Sequence, residues 1–206
     1  MINFAQNNRF VQKPMAKTRD KLIDIARQLF AHKGIENTTI NDIAIAAEKG
    51  RRTIYTYFKN KRDIYNAVVE SETDKVIEKL SSIVNLNLTP EEKLMEFIFQ
   101  RFDAMKELVH RNGSLRAGFF RDVRKVERAR KATSPKEIHI LEQILQEGVD
   151  VGTFRIKHVD KTAMVMLLCL QGLDVPYIRD NFMELGIEKS KLRDYLNDFI
   201  LYGIKQ

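Results

Sequence analysis

The 206-residue chain carries 44% apolar and 31% charged residues, a balance that excludes a disordered chain and one embedded in a membrane. Nine Gly and four Pro are too few for the turns of an all-β fold, and a lone cysteine, Cys169, excludes an intramolecular disulfide. The formal net charge of +7 is unevenly placed: residues 1–70 hold 13 basic and 7 acidic residues, residues 71–206 hold 22 and 21, so a polyanion would bind the N-terminal third.

Residues 1–17 lack apolar periodicity and read as a flexible arm bearing Lys13 and Lys17. From Thr18 the stripe Leu22, Ile25, Ala26, Leu29, Phe30 predicts an amphipathic helix that stops at Gly34. Thr39 opens a second, short helix, with Asp42 three residues on to complete a capping box and Ile40, Ile43, Ala44 and Ala47 facing inward. After the turn 47–50, Ile54 and Phe58 mark the buried side of a third short helix. Its outward side presents Arg51, Arg52, Thr53, Tyr55 and Thr56, with Tyr57 at the margin. Between residues 49 and 62 stand six basic residues and no acidic one.

Such a pair of short helices suits a helix-turn-helix, in which the second helix enters the major groove braced by the first. Arginine can donate two hydrogen bonds to guanine O6 and N7, and threonine can bond a base edge or touch a thymine methyl. Tyrosine hydroxyls reach phosphates, and Lys61 stands where exposed backbone N–H groups at a helix start would help it bind another.

Further on, Asn60 and Asp63 cap a long helix reaching about residue 85, and Thr89-Pro90-Glu91-Glu92 starts the next, which ends at Asn112-Gly113. A basic run from Arg121 to Lys131 follows, read as a solvated helix face, and Ser134-Pro135 is expected to open a further helix. Gly148 and Gly152 bracket a turn. The apolar stretch 163–173 reads as a buried helix, about half the roughly 20 residues needed to cross a bilayer. A helix striped by Leu192, Tyr195, Leu196, Phe199 and Ile200 closes the chain. The fold expected is all-α, with about nine helices: an arm over 1–17, a helix-turn-helix domain over 18–70 and a helical bundle over 71–206.

The run Thr38-Thr39-Ile40-Asn41-Asp42-Ile43-Ala44, followed eleven residues later by Tyr55-Thr56-Tyr57-Phe58-Lys59-Asn60-Lys61, resembles the N-terminal domain of TetR-type repressors. The likeness covers residues 18–70 specifically; beyond them it is loose, chiefly at Glu147-Gly148 and Gly152-Thr153-Phe154-Arg155. The resemblance implies DNA-facing positions at Thr39, Asn41, Arg51, Arg52, Thr53, Tyr55, Tyr57 and Lys61. One departure stands out. The family's turn reads Ala-Gly-Val-Ser, here Ala47-Glu48-Lys49-Gly50, which requires Glu48 to take a left-handed or bridge conformation and leaves Gly50 as a weak cap.

The resemblance further implies a homodimer formed through residues 160–179 and 188–204, a near-palindromic site on double-stranded DNA, and release by a small-molecule effector bound in the bundle. Lining residues for that effector would come from Phe97, Phe102, Met105, Phe119, Phe120, His139, Met164 and Cys169, with Arg101 and Asp103 on the same helix expected to face water. The alternative is a TetR-fold DNA-binding protein controlled by a protein partner. No enzymatic motif, metal cluster or cofactor loop appears: the four histidines are scattered, and neither a phosphate loop nor a nucleophile elbow is present. No secretory signal pattern appears either, so a cytoplasmic protein without a membrane partner is expected.

Overall fold

The computed structural model describes the backbone over residues 9–111 and 123–204, and side chains over 16–110 and 133–202 apart from Leu185. Among the described residues the chain forms eight α-helices joined by loops and three short 3-10 turns. They run α1 (Arg9–Lys33), α2 (Ile40–Ala46), α3 (Arg51–Tyr57), α4 (Lys61–Ser81), α5 (Pro90–Arg111), α6 (Val123–Asp150), α7 (Val159–Arg179) and α8 (Leu192–Ile204). The chain divides into two units at residue 72, within α4, whose residues up to Glu72 belong to a headpiece and from Thr73 to a bundle.

The headpiece is built where the apolar stripes predict. Leu22, Ala26 and Phe30 of α1, Ile43, Ala44 and Ala47 of α2 with its C-cap, Ile54 and Phe58 of α3 with its C-cap, and Ile64 and Val68 of α4 form one buried cluster. Each large side chain so buried contributes about 1.5–3 kcal/mol by leaving water. Gly34, at φ 86°, ends α1, and its N–H still reaches Phe30 O at 3.1 Å. The start of α1 differs from expectation: the helix begins at Arg9, so residues 9–17 of the expected arm are helical. An apolar stripe marks only the part of a helix that packs on something, and a helix prolonged past its own core carries no such mark.

The bundle has its own core, in which Leu80, Leu94, Phe97, Ile98, Phe102, Leu141, Ile144, Leu145, Ala163 and Leu167 are all at most 1% exposed. Thr89 and Glu92 close the capping box that starts α5, with Thr89 N donating to Glu92 Oε2 at 2.8 Å and Glu92 N to Thr89 Oγ1 at 3.3 Å. The helix expected to open at Ser134-Pro135 instead starts at Val123 and passes through Pro135. The stop at Asn112-Gly113 and part of the basic run 121–131 lie outside the described residues. Gly148, inside α6, faces Phe154: a Cβ there would meet the ring, with Cε2 at 2.5 Å and Cγ at 2.8 Å. The returning chain is fastened to the same place, since Thr153 and Phe154 both donate their N–H to Gly148 O.

The segment 163–173, expected to be a buried helix, is buried on one side only. Ala163, Leu167 and Leu170 enter the core, while Val165 and Leu168 are 58% and 62% exposed and Cys169 is also exposed. No helix among the described residues is long and apolar enough to cross a membrane.

Candidate nucleic-acid interface

Thr39 is the N-cap of α2, and the capping box is complete: Asp42 N donates to Thr39 Oγ1 at 3.1 Å and Thr39 N to Asp42 Oδ2 at 2.8 Å. These bonds, first from the backbone and then from the side chain of Thr39, hold the Asp42 carboxyl below its ordinary value. Thr38, which carried no role in the sequence beyond its place in the motif, is fully buried and donates its hydroxyl to Gly34 O at 2.7 Å. It locks the chain between α1 and α2. Asn41 is exposed on α2.

The turn solves the departure at residues 47–50 with backbone geometry. Glu48 takes a left-handed conformation at φ 55°, and Lys49 N donates to Ala44 O at 2.9 Å. Gly50 is the N-cap of α3 in an extended conformation, without a side-chain cap bond. Helix α3 is pinned by Ile54, 0% exposed, and by its C-cap Phe58, 4% exposed, whose N–H bonds Ile54 O. With Ile54 fixed inward, the helical period of 3.6 residues turns Arg51, Arg52 and Tyr55 outward, and all three are exposed. Thr53 and Tyr57 are half-buried, and the Tyr57 ring lies 6.5 Å from that of Phe58.

Lys61 opens α4, and its ammonium donates to Ile35 O at 2.7 Å and Glu36 O at 3.3 Å, joining α4 to the α1–α2 connection. Asn60 and Asp63 cap the same helix reciprocally: Asp63 N donates to Asn60 Oδ1 and Lys59 N to Asp63 Oδ2. The eight expected DNA-facing residues thus have side chains wholly or partly accessible on the headpiece, with Thr39 engaged in its cap and Lys61 bonded to the α1–α2 connection.

The described residues among those expected to line an effector site differ in burial. Phe97 and Phe102 are core residues, Met105 is half-buried, and Phe119 and Phe120 lie outside the described residues. His139 is exposed beside Glu142, and Met164 and Cys169 face outward on α7. An apolar helix can bury only one side within its own subunit, so these last two, Met164 about 100° around the axis from Ala163 and Cys169 about 200° from Leu167, emerge on the other.

The bundle interior also holds a polar cluster. Arg101 of α5, expected in water, is 2% exposed; it donates from Nε to Glu137 of α6 at 2.6 Å and from Nη1 and Nη2 to Asp174 of α7 at 2.6 and 3.1 Å. Burial pulls the guanidinium pKa down, but the hydrogen bonds and charges of Asp174 and Glu137 outweigh it and hold Arg101 above its ordinary value. One residue on, Phe102 stacks on Tyr177 at 4.9 Å, and the Tyr177 hydroxyl donates to Asp103 at 2.7 Å. Sequence reading missed this cluster because its three members lie 36 and 37 residues apart, each a lone charge on a stripe that otherwise looks amphipathic. Among the described residues no group of His, Cys, Asp and Glu could hold a metal ion.

On the outer side of α7 and α8 an open groove of about 560 Å³ has an apolar floor of Val165, Leu170, Leu173, Leu196 and Ile200 and a basic rim of Arg155, Lys157 and Lys161. Phe199 and Tyr202, on α8, are 75% and 83% exposed.

Residues 22–68 match the family described as bacterial regulatory proteins, tetR family. The chain is 28% identical over 145 residues to the HTH-type transcriptional repressor KstR2 of Mycolicibacterium smegmatis, covering 68% of this chain and 69% of that protein. It is 27% identical over 188 residues to the fatty acid metabolism regulator protein of Bacillus subtilis, covering 80% and 91%. A transcriptional regulator from Cytophaga hutchinsonii shares the fold at a TM-score of 0.72 and 22% identity, over 91% of this chain and 98% of that one. With its capped helix-turn-helix and outward basic face, the chain is a DNA-binding regulator whose headpiece, over residues 22–68, matches the tetR family of bacterial regulatory proteins.

Proposed function

We propose that the chain is a homodimeric repressor that reads a near-palindromic site on double-stranded DNA and is released from it by a small molecule bound in the bundle. The observation that carries the DNA reading is the arrangement of α3. Ile54 and Phe58 are sunk in the headpiece core, which leaves Arg51, Arg52 and Tyr55 exposed on one side of a short, capped helix. In this reading Arg51 and Arg52 take guanine edges or phosphates, Thr53 and Tyr55 read bases, and Thr39, Asn41, Tyr57 and Lys61 take the backbone.

The dimer is supported by the uncovered apolar side of α7 and α8, where Val165, Leu168, Phe199 and Tyr202 lie close together in sequence period and in solvent. A two-fold dimer would set its two recognition helices about 34–36 Å apart, one turn of DNA. The buried Arg101–Glu137–Asp174 cluster ties three helices of the bundle. The relatives named for fatty acid metabolism make long-chain fatty acids the first probes.

The test is fluorescence anisotropy with DNA fragments from around the chain's own gene, at two salt concentrations, with and without fatty acids. Tight binding at low salt that weakens steeply with salt is expected for wild type, and strong loss of affinity for Arg51→Ala. A chain that binds no DNA at low salt refutes the reading.

A further inference from the structure

We propose that Arg19 is a further phosphate-binding residue of the headpiece, gripping the DNA backbone beside the carboxyl end of α3; the assignment rests on the DNA-binding reading above. The guanidinium carbon of Arg19, on α1, stands 5.6 Å from the centre of the Phe58 ring. That ring is immobile, because Phe58 is 4% exposed and is the C-cap of α3. A cation within about 6 Å of an aromatic face is held there by the ring's quadrupole, which orients a guanidinium without consuming its N–H donors.

Among the described residues no carboxylate or carbonyl pairs with the Arg19 side chain, whereas Arg27, two turns along the same helix, closes on Asp24 at 2.9 Å and approaches Glu72 at 3.9 Å. Arg19 is half-exposed, and Lys59, next to Phe58 in the sequence, is exposed. In sequence, residues 1–19 contain Arg9, Lys13, Lys17 and Arg19 and no acidic residue, and Asp20 follows.

Helix α3 spans seven residues, about 10 Å at 1.5 Å per residue. Arg51 and Arg52 stand at its amino end and Arg19 at its carboxyl end, so the two cationic ends bracket the helix that enters the groove. A duplex bearing one negative charge per about 1.7 Å of axis offers phosphates at both ends of such a helix. A planar fork pre-set by a ring takes a phosphate bidentately, which a lysine cannot do.

The experiment measures DNA affinity of full-length wild type, Arg19→Met, Arg19→Lys and the bundle control Lys79→Met by anisotropy between about 50 and 200 mM salt, with melting temperature recorded for each. Arg19→Met is expected to lower the slope of log K against log salt by about 0.9 for each bound headpiece. Arg19→Lys should keep the slope but lose affinity several-fold, and Lys79→Met should match wild type. A lower melting temperature with an unchanged slope overturns the assignment and makes Arg19 a packing residue only. Arg19→Lys, the milder change, serves if Arg19→Met does not fold, and an affinity equal to wild type in that variant also overturns it. A wild-type chain that binds no DNA overturns the DNA reading and this assignment together, an outcome distinct from failure of the variants alone.

Discussion

Replacing Arg101 by Met would leave Glu137 and Asp174, 4% and 2% exposed, facing a thioether in place of the guanidinium that bonds both. Met fills a similar volume, so little of the effect would come from a cavity. Removing one partner of a buried ion pair costs about 3–5 kcal/mol, because the charge left behind has lost both water and its counter-ion. For a chain of this size each kcal/mol moves the melting temperature by roughly 2–4 °C, so a fall of roughly 6–20 °C is expected. Calorimetry of the full chain measures it. The same physics predicts that Arg101→Met combined with Glu137→Leu and Asp174→Leu recovers most of the loss, since well-packed apolar groups can replace a buried ionic cluster at little cost. A single variant within about 1 kcal/mol of wild type, or a triple variant as unstable as the single, would refute the reasoning.

Ile54→Ala should destabilise the headpiece by about 2–5 kcal/mol and abolish DNA binding, as Ile54 is 0% exposed and is the inward anchor of α3; denaturant titration and anisotropy read the two effects, and a stable, binding variant would show that α3 is held otherwise. Phe199→Asp or Leu168→Asp, at positions 75% and 62% exposed, should leave the monomer's fold intact and convert a dimer to a monomer in sedimentation velocity; a persisting dimer places the interface elsewhere. Tyr177 is held above its ordinary value of 10.0, first by burial and then by the bond to Asp103. A group with a raised folded pKa stabilises below its unfolded value and loses that contribution as pH rises through the folded one. The melting temperature of wild type should therefore fall above about pH 10 more steeply than that of Tyr177→Phe, and parallel alkaline limbs would exclude this role.

Much of the headpiece was legible in the sequence because its determinants are local. A capping box needs only Thr39 and Asp42 three residues apart, Gly34 ends α1 within its own turn, and Ile54 and Phe58 face the same way whatever surrounds them. At Glu48, in the place of the family's turn glycine, the resemblance implied a left-handed or bridge conformation, and the residue is left-handed. The candidate DNA-facing residues follow from that local register by subtraction, being what the inward side leaves over.

The rest was decided by contacts between segments far apart in the chain. Nothing near Arg101 shows that it would be buried; only the approach of Glu137 and Asp174, from two other helices, makes that position affordable for a charge. The side of α7 that stays in solvent, the cation–π seat of Arg19 on Phe58 and the seating of Phe154 over Gly148 have the same origin. Periodicity says that a helix has an apolar side, but burial belongs to whatever packs against that side, and for Val165, Leu168, Phe199 and Tyr202 nothing among the described residues covers them.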